Sequence, residues 1–280
     1  MGEVILGGEA VAAGVVTRHE LRMSYTTVYR GVFVPKDVQL TLRDRAIAAW
    51  LASKRKGVVA GSAAAALHGA PWVDSDVPIE LVGVNIRAQA GLVPRTERIA
   101  DDEISRMSGL PVTTRVRTAF DVGRHLDRPE ALARLDALMW RERFSIDEVL
   151  ALADRYPRAR NVRQLRELLP LVDEGAESPR ESTTRLWLHD AGFPRPETQI
   201  PVLATSMRPV AWLDMGWRDF MVAVEYVDRA PDIAAIARLR MLEALGWKVI
   251  RVIADDSPHD WLAKVGDALH AAGCGEAFAA

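Results

Sequence analysis

The sequence predicts a mixed α/β protein, α+β overall, with a helical front and middle and a mixed sheet flanked by helices at the C-terminal end. Three observations carry this reading. Amphipathic stretches alternate with short β-like segments up to a small polar break at Asp173-Glu174-Gly175-Ala176. Beyond the break the elements follow in the order α-β-β-β-α-β, with a closing helix. A chain of 280 residues, 49% of them hydrophobic, can bury more than one core. The expected organisation is a winged-helix-like DNA-binding region at 1–40, a helical and small β region at 41–175, and an αβββαβ domain at 176–280.

Composition narrows the function classes. No apolar run reaches the roughly eighteen residues of a membrane span, and the N-terminus lacks a charged-then-apolar leader, so a soluble, cytoplasmic protein with no membrane partner is expected. Cys274 is the single cysteine, which excludes an intrachain disulfide framework and a Cys-based zinc site. The net charge of −2 hides an asymmetry. Residues 1–70 hold 9 Lys and Arg against 5 Asp and Glu, giving +4, and residues 177–280 hold 11 against 15, giving −4. A basic front suits nucleic acid, although an ordinary solvated surface can show the same surplus.

In chain order, Thr17 with Glu20 fits a capping box that opens the short helix TRHELRM, and TVYRGVFV is strand-like with a bend at Gly31. Two short helices and a strand pair would form a small winged helix-turn-helix, with Arg18, Arg22, Tyr25 and Arg30 facing phosphate or groove. A structural helix and hairpin is the competing reading. TLRDRAIAAWLASKR is a helix with Thr41 as N-cap and basic residues in its last turn; SAAAALHG is a second, with His68 a packed or capping residue. Short apolar runs from Pro78 to Thr114 form a β-region. Helices follow at RVRTAFDVGRHL, PEALARLDALMWRE and SIDEVLALADRY, the last with a capping box at Ser145 and Glu148, and the arginines between Arg155 and Arg166 form the wet side of a helix ending near Asp173.

Past the break, Ser178-Pro179 opens a helix through Ala191. Strands are expected at Thr198–Ala204, Arg208–Asp214 and Met221–Val227, with a tight turn at Gly216-Trp217-Arg218-Asp219, then a helix opened by Pro231, a strand at Trp247–Ile253 and a last helix opened by Ser257-Pro258. Asp214 and Glu225 stand on adjacent strands, and two converging carboxylates suffice to hold Mg²⁺ for activating water against a phosphodiester. Strand alternation puts Val227 beside Glu225 where a third polar group would complete such a site; a β-bulge at Val227 would bring Asp228 to that face. Structural readings compete. Glu181 fits the N3 position of a capping box on Ser178, Asp214 fits a turn closed with Gly216, and Trp212, Trp217, Trp247 and Trp261 fit the core. Glu225, inside an apolar strand, needs a partner or a metal.

The segments AESPRESTTRLWLHDAGFPRPETQIPV, LDMGWRDFMVAVEY and LEALGWKVIRV, within residues 177–272, resemble the PD-(D/E)xK restriction-endonuclease-like superfamily, closest to the domains related to very-short-patch-repair endonucleases. The resemblance implies that Asp214 and Glu225 are metal-binding and catalytic carboxylates and that Glu181, with Glu177 as substitute, is the acidic residue of the opening helix. Related domains continue as Glu-Tyr-Asp-Gly with a His a few residues on; here the chain reads Glu225-Tyr226-Val227-Asp228-Arg229-Ala230-Pro231, without the Gly and the His. Towards the N-terminus, VVTRHEL, VYRGVFVP and SAAAALHG are similar to the abortive-infection antitoxins of type IV toxin–antitoxin systems, which implies operator binding and autoregulation. The combined expectation is a DNA-binding, antitoxin- or transcription-regulator-like protein with a degenerate endonuclease-like domain. Its alternatives are an active Mg²⁺-dependent endonuclease using Asp214 and Glu225, and a protein-binding antitoxin that neutralises a partner toxin.

Overall fold

Thr17 opens its helix in the way its spacing to Glu20 requires. The Thr17 hydroxyl accepts the Glu20 amide at 3.1 Å and the Glu20 carboxylate accepts the Thr17 amide at 2.7 Å, so two donors left open at a helix start are satisfied. Thr41 and Asp44 repeat the arrangement. The structure, a computed structural model, describes residues 4–140, 142–203, 208–227 and 233–275. By contacts the chain forms two units, residues 1–126 with 141–169, and residues 127–140 with 170–280.

The first unit starts with β1 (Ile5–Leu6), α1 (Gly7–Ala12), α2 (Arg18–Ser24), β2 (Tyr25–Tyr29) and β3 (Val32–Pro35). The three strands form one sheet in the order β1-β3-β2. Gly31, at φ +82°, makes the hairpin turn between β2 and β3. Next come α3 (Leu42–Ala52), β4 (Val58–Ala60), α4 (Gly61–Leu67), β5 (Ile79–Val82), β6 (Leu92–Arg95), β7 (Ile104–Met107), β8 (Leu110–Thr113) and α5 (Arg115–His125). The strands β6-β5-β4-β8-β7 form a second sheet, over a core of Val59, Ile79, Leu81, Leu92 and Val112. β4 was not expected: all three of its residues are buried, so it has no alternation to read. His68 caps α4 and bonds the Thr113 carbonyl at 2.7 Å, the packed role expected of it.

Two expectations in this unit need correction. α3 stops at Ala52, so its basic residues lie beyond its last turn, where Lys54 and Arg55 take φ of 58° and 64°. The arginines between Arg155 and Arg166 do not share one helix: α7 (Ile146–Arg155) ends, a turn containing Pro157 follows, and α8 (Val162–Leu168) begins after Asn161 at φ 57°. Proline has no amide to continue a helix, which explains the break. Ser145 accepts the Glu148 amide as N-cap, giving that half of the expected box.

The second unit takes α6 (Arg128–Met139) and packs it against α9 (Pro179–Asp190). The sheet has order β12-β11-β10-β9, with β9 at Glu197–Leu203, β10 at Pro209–Trp217, β11 at Val222–Val227 and β12 at Lys248–Ile253. β11 and β12 run parallel across α10 (Ile233–Ala244), the other pairs are antiparallel, and α11 (Pro258–Ala271) follows. The expected order of elements is therefore present. Asp228 and Pro231 lie outside the described residues, as does the helix start placed there; Val227 is described, and β11 pairs with β12 in unbroken register from Val222 to Val227, so the bulge expected at Val227 is not present in that ladder.

β10 is longer than expected. It runs through Trp217, and the turn lies later, at Arg218–Phe220 with Met221 at φ 53°. Gly216 is thus a strand residue paired with Ala223, and a Cβ on it would lie 2.4 Å from the Val222 carbonyl oxygen. The reading of Asp214 as closing a turn with Gly216 is corrected accordingly. Two cores flank the sheet: one joins Met215, Val224, Ile250 and Trp261, the other Ile200, Leu213, Ala223 and Leu242. Trp217, Trp247 and Trp261 are buried, but Trp212 is 53% exposed, because its neighbours Ala211 and Leu213 take the inward positions of β10.

Candidate functional site

Regular alternation would put Leu213 and Met215 on one face of β10, yet they belong to different cores. The strand changes its facing at Asp214, between them. Opposite, Gln199 of β9 takes the left-handed conformation at φ 48°, rare for a residue with a side chain. The ladder between β10 and β11 ends one step away, at the Met215–Val224 pair. Asp214 therefore stands where two strands part, and its Oδ2 accepts the Tyr226 amide at 3.0 Å in place of a backbone carbonyl.

Glu225 is buried on β11, 5% exposed. Arg238 of α10 takes both its oxygens, Nη1 donating to Oε2 at 2.8 Å and Nη2 to Oε1 at 2.7 Å, and Nη2 also donates to the Trp212 carbonyl at 2.6 Å. One guanidinium thus ties β10 to β11 beyond the end of their ladder, a use suited to its planar fork. The hydrogen bonds to Glu225 raise the Arg238 pKa further.

Glu181 faces the same cluster. Ser178 accepts the Glu181 amide at 3.1 Å as N-cap, while the carboxylate accepts the Ser178 hydroxyl and the Glu177 amide, both at 2.9 Å. The capping role holds, with the reciprocal bond moved one residue upstream. Burial raises the Glu181 pKa against these donors. For Asp214, burial first and then the charges of Glu181 and Glu225 push the pKa up to about 7. Three acidic side chains read from the sequence are thus brought together, and Asp214 can exchange a proton near neutrality.

The residues present do not fit the Mg²⁺ set that the resemblance implies for Asp214 and Glu225. Mg²⁺ asks for oxygens in octahedral array at about 2.0–2.1 Å, whereas both Glu225 oxygens and one of Asp214 are engaged by N–H donors. Val227 adds no donor. Among the described residues, no group of three His, Cys, Asp or Glu is disposed to hold a metal. Arg238 is the residue that sequence reasoning missed; the signal for it was the need of Glu225 for a partner.

At the front, α2 buries none of its residues and presents Arg18 and Arg22. With Leu21, Tyr25, Thr27 and Phe33 they line an open groove of about 430 Å³. Arg30 stands apart from it on the hairpin turn, where its amide donates to Gln89 Oε1 at 2.7 Å. Three of the four residues expected to face DNA therefore share one surface.

Comparison with known proteins adds two findings. Residues 56–171 match the family model described as the AbiEi antitoxin C-terminal domain. That supports the antitoxin resemblance; of the segments that pointed to it, SAAAALHG falls inside the match, while VVTRHEL and VYRGVFVP lie ahead of it. Two proteins of Mycobacterium tuberculosis, the uncharacterized protein Rv2248 of strain ATCC 25618 / H37Rv and the uncharacterized protein MT2308 of strain CDC 1551 / Oshkosh, are each 33% identical over 239 residues, covering 82% of this chain and 85% of theirs. No helix among the described residues is long and apolar enough to cross a membrane. With that identity over most of both lengths, the chain belongs to one protein family with Rv2248 and MT2308, and its residues 56–171 are similar to the AbiEi antitoxin C-terminal domain.

Proposed function

We propose that this protein is a DNA-binding antitoxin, whose front contacts DNA through Arg18, Arg22, Tyr25 and Arg30 and whose C-terminal unit is an endonuclease-like frame without phosphodiester chemistry. The observation that carries the reading is the similarity of residues 56–171 to an antitoxin domain. The front supports it: helix, turn, helix and hairpin follow in the order of a winged helix-turn-helix, with an exposed second helix carrying two arginines. At the C-terminal end, the αβββαβ order supports the frame. The arginine fork on Glu225 supports loss of the metal-dependent reaction, because it takes the oxygens a cation would need.

Co-expression with the product of the neighbouring gene tests the antitoxin reading. The expected result is that this product alone arrests growth and that the wild-type chain restores it; co-purification of the two would favour the protein-binding alternative. Arrest that persists with the chain present in soluble form would refute the reading. Plasmid cleavage that needs Mg²⁺ or Mn²⁺ and disappears in Asp214→Ala would return the C-terminal unit to the active nucleases; the expected result is no cleavage above a mock preparation.

A further inference from the structure

A second cluster of arginines lies in the first unit, lining a cavity of about 460 Å³. That volume falls within the range of small-molecule sites. Phe120, Tyr156 and Pro157 line it, together with the exposed Arg98, Arg158 and Arg160. Two buried arginines of α5 fix the backbone at Arg98 and Arg160. Arg117 Nη1 donates to the Arg98 carbonyl and Arg124 Nη1 to the Arg160 carbonyl, both at 3.1 Å.

The charges of the supporting groups are already matched. Arg117 binds Asp121 and Glu103, Arg124 binds Asp121 and Glu97, and Arg155 binds Asp102 and Glu103. Glu97 is spent as well: burial opposes its ionisation, but hydrogen bonds from His125 and Arg124 outweigh burial and hold its pKa at about 2. By contrast, the guanidinium groups of Arg98, Arg158 and Arg160 have no hydrogen bond or ion pair among the described residues. Tyr156 is held by its hydroxyl, which donates to Glu103 at 2.6 Å, and the Arg117 guanidinium lies 5.5 Å from its ring centroid.

We propose that this cavity binds a nucleoside triphosphate, with the base against Tyr156 and Pro157 and the phosphates on Arg98, Arg158 and Arg160. Unmatched guanidinium forks on an anchored backbone suit phosphate oxygens. The ring wall suits a planar aromatic group, and Arg117 against the Tyr156 ring fixes that ring before the ligand arrives. An acidic peptide would meet the cations and leave the wall uncovered. The site is independent of the carboxylate cluster and of the DNA-facing groove.

Isothermal titration calorimetry of the full chain with ATP, GTP, adenosine and tripolyphosphate tests the proposal. At least one triphosphate binds about tenfold or more tightly than both adenosine and tripolyphosphate. Arg158→Glu/Arg160→Glu, at exposed positions, lowers that affinity at least about tenfold with an unchanged melting temperature, and Arg98→Ala weakens it independently. Arg163→Glu, on α8 and outside the cavity, leaves it unchanged. The proposal is overturned by absence of binding to both triphosphates, by tripolyphosphate or a poly-glutamate peptide binding as tightly, by an oligonucleotide binding where neither triphosphate does, or by a folded double variant that binds like the wild type.

Discussion

Arg238 decides what Glu225 can do. A carboxylate buried in an apolar strand requires a counter-charge, and that much was legible from VAVEYV alone. Which counter-charge was not: Arg238 lies thirteen residues along, and only the packing of α10 aims it at β11 rather than at solvent. Arg238→Ala should destabilise the fold by about 2–3 kcal/mol, below the full cost of an orphaned buried charge because the guanidinium is partly exposed. Arg238→Met with Glu225→Leu should recover most of the loss in urea denaturation; a double variant as unstable as the sum of the singles would refute the pairing. Asp214 makes a pH prediction. Its pKa rises on folding from 3.8 to about 7, so the folded chain holds a proton that the unfolded chain releases. The stabilisation is complete below about pH 4 and is lost as pH rises through about 7. Asp214→Asn should remove a decline on the order of 2–4 kcal/mol across that window. Asp136, raised to about 6 by burial against the pull of Arg185, adds a slope of the same sign, so the informative quantity is the difference between variant and wild type.

At the scale of elements, caps and strand runs were legible because each rests on neighbours in sequence. Thr17, Thr41 and Ser178 start helices where the spacing placed them. What escaped depends on contacts between distant segments. β4 is recognisable only by its partners β5 and β8, and the change of facing at Asp214 only by the two cores beside it. Gly216 shows the same limit: it looked like a turn residue, and its requirement is the close approach of β11. Gly216→Ala should therefore cost about 1–3 kcal/mol and speed amide exchange in β10 and β11. Gly8→Ala, in α1 where nothing lies within 4 Å of the added carbon, should instead stabilise by up to about 1 kcal/mol. Equal effects at the two positions in thermal melts would contradict the structure of β10.

Across the whole molecule, the basic front and acidic back read from composition correspond to different chemistry. The front offers Arg18 and Arg22 on an exposed helix, while the back engages Glu181 with Ser178 and the Glu177 amide, Asp214 with the Tyr226 amide and Glu225 with Arg238. Sequence periodicity could not assign α6 to the second unit. Its link to α9 runs through Asp136 and Arg185, forty-nine positions apart. DNA binding through the front is measurable by fluorescence anisotropy on a duplex from upstream of the protein's own gene over a range of salt. The logarithm of the binding constant should fall linearly with log salt, by about 0.9 for each phosphate contacted, and the slope should drop by roughly 2 in Arg18→Ala/Arg22→Ala. Absence of binding at low salt, or a double variant with the wild-type slope and affinity, would contradict it.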